Sequence, residues 1–173
     1  MNILKCPYVF LATLVLVISP PIQPLFTQTQ ARYNKLTPDS FLKSWKILGP
    51  IPVPGSSDSS TAAPTEEVQR KAFDTDFLAS CGSETGVYAS LTPACKVNGQ
   101  DYQWKLKESG AEILDLAKEI GPKDYAAAYA LAEVESSAAV TIIFSVGSDD
   151  AIKVWLNGKL VHRNWIQRPL QKD

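Results

Sequence analysis

Asn157 and Gly158 stand between two runs rich in apolar residues, AIKVWL and KLVHRN. Asn-Gly readily supplies the two positive φ angles of a type I′ turn, so this point of the chain predicts a two-residue β-hairpin. Counting outward from the turn sets Trp155 opposite Leu160, Val154 opposite Val161 and Lys153 opposite His162. Ile152, Val154 and Leu156 then form an aliphatic, core-directed face. The other face carries Trp155 with a cationic and polar fringe, and is expected to be partly wet.

Alternation continues upstream. In AAVTIIFSVG, Val140, Ile142, Phe144 and Val146 line one side of an expected strand whose residues are largely β-branched. DYQWKLKES alternates Tyr102, Trp104 and Leu106 with polar and charged residues. Trp45, Ile47 and Leu48 read as a short strand running into a turn at Gly49 and Pro50. Two segments read both ways. AEILDLAKEIG spaces Ile113, Leu116, Ala117 and Ile120 as a helix does, but the cluster is short enough for a strand. DYAAAYALAEVES has alanines that favour helix, yet Tyr125, Tyr129 and Leu131 fall on one alternating face. SSDSSTAAPTEEVQRKA almost lacks large apolar side chains and predicts a mobile surface loop that offers no core face.

At 173 residues, 45% hydrophobic and 20% charged, the chain fits one globular domain with one core. A formal net charge of −1 gives no concentrated basic surface, so neither nucleic acid nor an anionic membrane is an expected partner. Lys5 precedes VFLATLVLVI and then a proline-broken stretch ending in small and polar residues, which is the pattern of a secretory signal. Its apolar core is shorter than the roughly 20 residues of a membrane span. Residues 1–31 are therefore expected to be a signal peptide cleaved after Ala31, and residues 32–40 a linker to a folded domain over 41–173. The expected location is secreted, periplasmic or at the cell surface, with membrane attachment only if the signal stays uncleaved. Cleavage removes Cys6 and leaves Cys81 and Cys95. A disulfide across their Gly-, Ser- and Thr-rich loop would contribute something on the order of 3 kcal/mol; two separate buried thiols are the alternative. The spacing fits neither a CxxC redox motif nor a zinc site.

Asp149 and Asp150 read either as a polar turn whose carboxylates accept local backbone hydrogen bonds or as oxygen ligands for glycan hydroxyls or calcium. Calcium, the one cofactor such a pair suggests, takes about six to eight oxygens. No third acid lies near in sequence, and Glu133 and Glu135 would have to reach across from a neighbouring strand. Catalysis is not expected. Adjacent carboxyls diverge rather than face one another, and His162 is the only histidine. The chain also lacks a G-x-S-x-G elbow, since GSETG places its serine one position early. Trp155 and Trp165 are candidates to stack on the apolar face of a sugar, with Arg163 and Asn164 orienting hydroxyls and His162 beside them. Plain core or loop packing is the alternative for both tryptophans.

SWKILGPIP, AFDTDF, QWKL, DYAAAYALAEVES and FSVGSDDAIKVWLNGKLVHRN occur in this order along the chain. Together they resemble the galactose-binding-like jelly-roll modules of secreted bacterial hydrolases and other multidomain surface proteins. The likeness covers most of the chain after the leader and is strongest in GSDDAIKVWLNGKLVH. That stretch is also similar to PA14-type β-sandwiches, where paired aspartates can hold calcium beside a glycan. The first family is preferred because the Trp45–Pro52 opening and the Tyr125–Glu135 segment fit it better. The resemblance implies an all-β fold, an antiparallel jelly-roll β-sandwich in which both ambiguous segments are strands and the cysteine loop is an insertion. In such modules further strands follow the hairpin, whereas this sequence stops at QRPLQKD, so it reads as a fragment lacking its last C-terminal strands. The implied function is that of a noncatalytic accessory module binding carbohydrate or a cell surface, beside a downstream catalytic domain or partner protein. A structural spacer or interaction domain, or the N-terminal fragment of a larger secreted hydrolase, are the alternatives.

Overall fold

The computed structural model describes residues 2–5, 10–19, 34–35, 41–55, 63–89, 91–110, 112–136, 138–139 and 141–166. The expected cleavage point after Ala31, most of the expected linker and Val140 lie outside them. In chain order the strands are β1 (Asn2–Lys5), β2 (Phe10–Ser19), β3 (Asn34–Lys35), β4 (Ser44–Pro52), β5 (Ala94–Val97) and β6 (Gln100–Gln103). They continue with β7 (Lys105–Glu108), β8 (Ile113–Asp115), β9 (Ala126–Glu135), β10 (Val146–Ser148), β11 (Ile152–Leu156) and β12 (Lys159–Asn164). Helical turns are α1 (Glu66–Asp74), α2 (Ser83–Gly86) and α3 (Leu116–Ile120). The fold is β-rich, as the alternating apolar pattern requires.

Its axis is β9. Ala126, Ala128, Ala130, Ala132 and Val134 pack on one face with Trp45, Ile47, Leu114, Leu116, Ile152 and Val154. Ala127, Tyr129 and Leu131 pack on the other face with Leu48, Ile51, Phe73, Phe77, Leu78 and Val87. A strand buried on both faces loses its polar alternation and reads as a continuous apolar run, which is why the alanines leave its type ambiguous in the sequence. In the largest sheet β12, β11, β2, β9, β4 and β7 lie side by side in that order, and β3 pairs with the end of β9. The pairs β4–β7, β4–β9 and β11–β12 are antiparallel. Those made by β2 and β3 are parallel. A second sheet, β10-β1-β8, is parallel, and β5 and β6 form a hairpin. Asn2–Lys5 and Phe10–Ser19, assigned from sequence to a leader outside the fold, thus run as strands within the sheets. A short apolar run bounded by turn-forming residues suits a buried strand as well as it suits a signal.

Several local expectations are corrected. The segment read as a featureless loop supplies α1. Thr65 caps it by accepting from the Val68 amide, Glu66 and Glu67 occupy its first turn, and Ala72 and Phe73 are buried. The apolar contribution sits at the end of that segment and at the residue just after it, while Thr-Glu-Glu is an ordinary helix start. β4 does not stop at Gly49 and Pro50; its pairing with β9 skips from Leu48↔Tyr129 to Ile51↔Ala127 and the strand runs on to Pro52. Gly49 has φ +137 at this bulge, and a Cβ there would meet the Ala127 carbonyl oxygen at 3.1 Å, so glycine lets the two backbones approach. DYQWKLKES is split at Trp104 between β6 and β7, which belong to different sheets. Of the described residues of the expected strand face, Val146 lies in β10, while Ile142 and Phe144 lie outside the strands. AEILDLAKEIG is half of each reading, a short strand followed by α3, whose Asp115 cap accepts from the Lys118 amide. Among the described residues no helix is long and apolar enough to cross a membrane.

Candidate functional site

The Asn157-Gly158 hairpin forms as expected, with φ +49 and +78 at the two turn residues. Its register does not hold beyond Trp155↔Leu160. Val154 faces His162 and Lys153 faces Arg163, so Val161 is the extra residue of a bulge. The slip exchanges the faces of the second strand. It is Arg163, not His162, that shares a face with Lys153 and Trp155.

That face is covered at Lys153 and Trp155 and open at Leu160 and Arg163. Phe73 of α1 lies over it, with the Lys153 ammonium 5.5 Å from the Phe73 ring and the Arg163 guanidinium 5.2 Å from the same ring. Lys153 also sits 5.1 Å from the Trp155 ring. Such cation–ring contacts gain strength as water is excluded. Lys153 and Trp155 are only 7% and 3% exposed. Trp155 therefore has no open ring face for a sugar; its core-packing alternative describes where it lies. On the rim, Arg163 pairs with Asp74 of α1. Trp165 stacks obliquely on Phe73 at 5.3 Å, and the Arg70 guanidinium lies 5.3 Å from the Trp165 ring.

Glu84 closes the cluster from the cysteine loop. Its two carboxylate oxygens accept from Lys153 Nζ at 3.1 and 3.0 Å, and Oε1 also accepts from the Tyr129 hydroxyl at 3.0 Å. The Tyr129 oxygen in turn accepts from the Phe77 amide at 3.2 Å. Burial pushes the Glu84 carboxyl above the usual carboxylate range, while Lys153 and Tyr129 pull the other way. Burial and the Glu84 charge hold the Tyr129 phenol well above its ordinary range, so it stays a donor. Asp76 sets the loop: its carboxylate accepts from the amides of Leu78 and Glu84 and from the Ser83 hydroxyl. Cys81 and Cys95 form the expected disulfide around this loop. Sequence reasoning misses both Glu84 and Tyr129, because the partners lie 69 and 45 residues apart. The one legible hint is Lys153 standing beside an aromatic on a strand.

Asp149 and Asp150 are buried, at 5% and 8% exposure. The Asp150 amide donates to Asp149 Oδ1 at 3.1 Å, and the Ser148 hydroxyl donates to the Asp150 carbonyl at 2.7 Å. This is the local backbone bonding of a polar turn. Glu133, one of the two acids expected to reach toward them, pairs with Lys46. Among the described residues no group of three or more His, Cys, Asp or Glu gathers as a metal site. His162 is exposed, on the strand face opposite the Phe73 cluster, and Asn164 is half-buried at the end of β12. The structure thus gathers Arg163 and Trp165 with Arg70, Phe73 and Asp74, and leaves Asp149, Asp150 and His162 outside that group. No family model matches the chain, and neither a curated protein nor a solved structure matches it significantly.

Proposed function

We propose that the chain is a noncatalytic accessory module of an exported protein, a jelly-roll-type β-sandwich that holds a carbohydrate at the rim between α1 and β12. The observation that carries this reading is Trp165, half-buried and braced by Phe73 and Arg70. An indole fixed in place before binding loses little freedom when a sugar stacks on it. Arg70 lies over the ring, and Arg163 and Asn164 stand just before it in the sequence; all three can donate to hydroxyls. The export reading rests on the leader pattern, and the module class on the resemblance in GSDDAIKVWLNGKLVH.

Isothermal titration of the full chain with soluble polysaccharides is expected to show saturable binding. Trp165→Ala should weaken it by about 2 kcal/mol, the scale of a truncated aromatic hot spot. A folded chain that binds none of them, or binds equally well without Trp165, would remove the proposal. A spacer or interaction role is the second reading, favoured by Leu160 and Val161, exposed at 45% and 53% on β12. Under it, Trp165→Ala lowers stability and leaves glycan titrations flat.

A further inference from the structure

The backbone of β2 lies between two strands that never pair with each other. Ala12–Leu16 pair with Ile152–Leu156 of β11 on one side, and Phe10–Ser19 pair with Ala126–Glu135 of β9 on the other, both in parallel register. The same five residues thus bridge both neighbours, so the gap is one strand wide. β9 is buried along both faces and β11 along most of its length. A strand filling this gap must bring its own amides and carbonyls to both ladders and carry no charge into the layers above and below. The sequence FLATLVLVIS has ten residues without a charge.

We propose that the space between β9 and β11 is a strand-accepting site. Phe10–Ser19 fills it in cis. Once that segment is cut away, as the exported reading requires, it takes an uncharged, apolar strand of a partner polypeptide. The chemistry is that of strand addition, with one difference: the incoming strand enters the middle of a sheet and pairs on both sides, not along one edge. Emptying the site leaves facing rows of unpaired backbone groups on β9 and β11, which makes the open form short-lived or partner-bound.

The test uses the full chain with Val15→Pro. Val15 is in register with both Leu131 and Trp155, and proline there has no amide to donate and does not fit a central strand. Amide exchange in β9 and β11 should accelerate by at least about tenfold, as expected when a cooperative unit loses its neighbour. A synthetic peptide of residues 10–19 flanked by lysines should restore protection, and the same peptide with proline at Val15 should not. Protection unchanged by Val15→Pro would overturn the proposal. So would a variant, folded or not, whose protection the peptide fails to restore. Protection that returns without peptide as the variant dimerises would assign the gap to a second copy, and overturns it as well. None of these outcomes depends on glycan binding.

Discussion

Lys153→Ala is expected to lower the stability of the chain at pH 7 by about 3–5 kcal/mol, read from urea unfolding followed by tryptophan fluorescence. The substitution removes the ammonium that both Glu84 oxygens contact and leaves the carboxylate buried, 6% exposed, with the Tyr129 hydroxyl as its remaining side-chain partner. Most of that loss is the cost of a stranded charge, not the worth of the pair. Replacing both residues by methionine should therefore recover much of it. A loss within about 0.5 kcal/mol of zero, the range of ordinary surface substitutions, would mean that Lys153 is not held where the structure places it.

The same carboxyl gives the pair a pH signature. Its folded-state pKa is raised above the unfolded value of 4.5, so the folded chain binds the proton more tightly. The resulting stability is fully present below 4.5 and is lost as pH rises through the folded value. Relative to Glu84→Gln, the natural chain should gain stability as pH falls through that window. An equal pH dependence in the two proteins would contradict the burial of Glu84.

Gly158→Val should destabilise by about 3 kcal/mol, combining a strained left-handed backbone with a steric clash. Gly158 has φ +78, and an added Cβ would lie 2.2 Å from the Thr85 carbonyl oxygen and 2.5 Å from Tyr88 Cε1. The clash is with backbone of the cysteine loop, which the disulfide and Asp76 hold in place, so neither side yields cheaply. Gly99 supplies the control. It occupies the equivalent place in the β5–β6 turn at φ +82, and a Cβ added there would meet nothing within 4 Å. Gly99→Val should thus show the backbone strain alone, about 1–2 kcal/mol. Equal losses at the two glycines would mean that the hairpin tip does not touch the cysteine loop.

What the sequence reveals follows the range of the forces involved. The β11–β12 turn is legible because Asn-Gly is a local backbone signal, and Asn98-Gly99 carries the same signal for β5–β6, with φ +51 and +82. That second hairpin is masked by the unbroken alternation of DYQWKLKES, which reads as one strand. The bulge at Val161 is not legible, since nothing in KLVHRN distinguishes a regular ladder from one with an extra residue. Its consequence is to place Arg163 where His162 is expected. The helix α1 is hidden because its apolar contribution is little more than Ala72 and Phe73, yet Phe73 is what keeps water from the Lys153 and Trp155 face. The Glu84–Lys153–Tyr129 cluster is out of reach because it is made by three segments that only tertiary packing brings together. Asp149 and Asp150 read as a turn or as ligands, and their local hydrogen bonds are those of the turn.

The strand β9, buried on both faces, is the axis on which the helix, the cysteine loop and the hairpin are assembled. Hydrogen exchange of the folded full chain tests this most directly. The amides of Ala126–Glu135 should exchange slowest, near the rate set by global unfolding, with Ser44–Leu48 close behind. Rapid exchange through β9, with protection concentrated instead in α1 or the β5–β6 hairpin, would contradict that assembly.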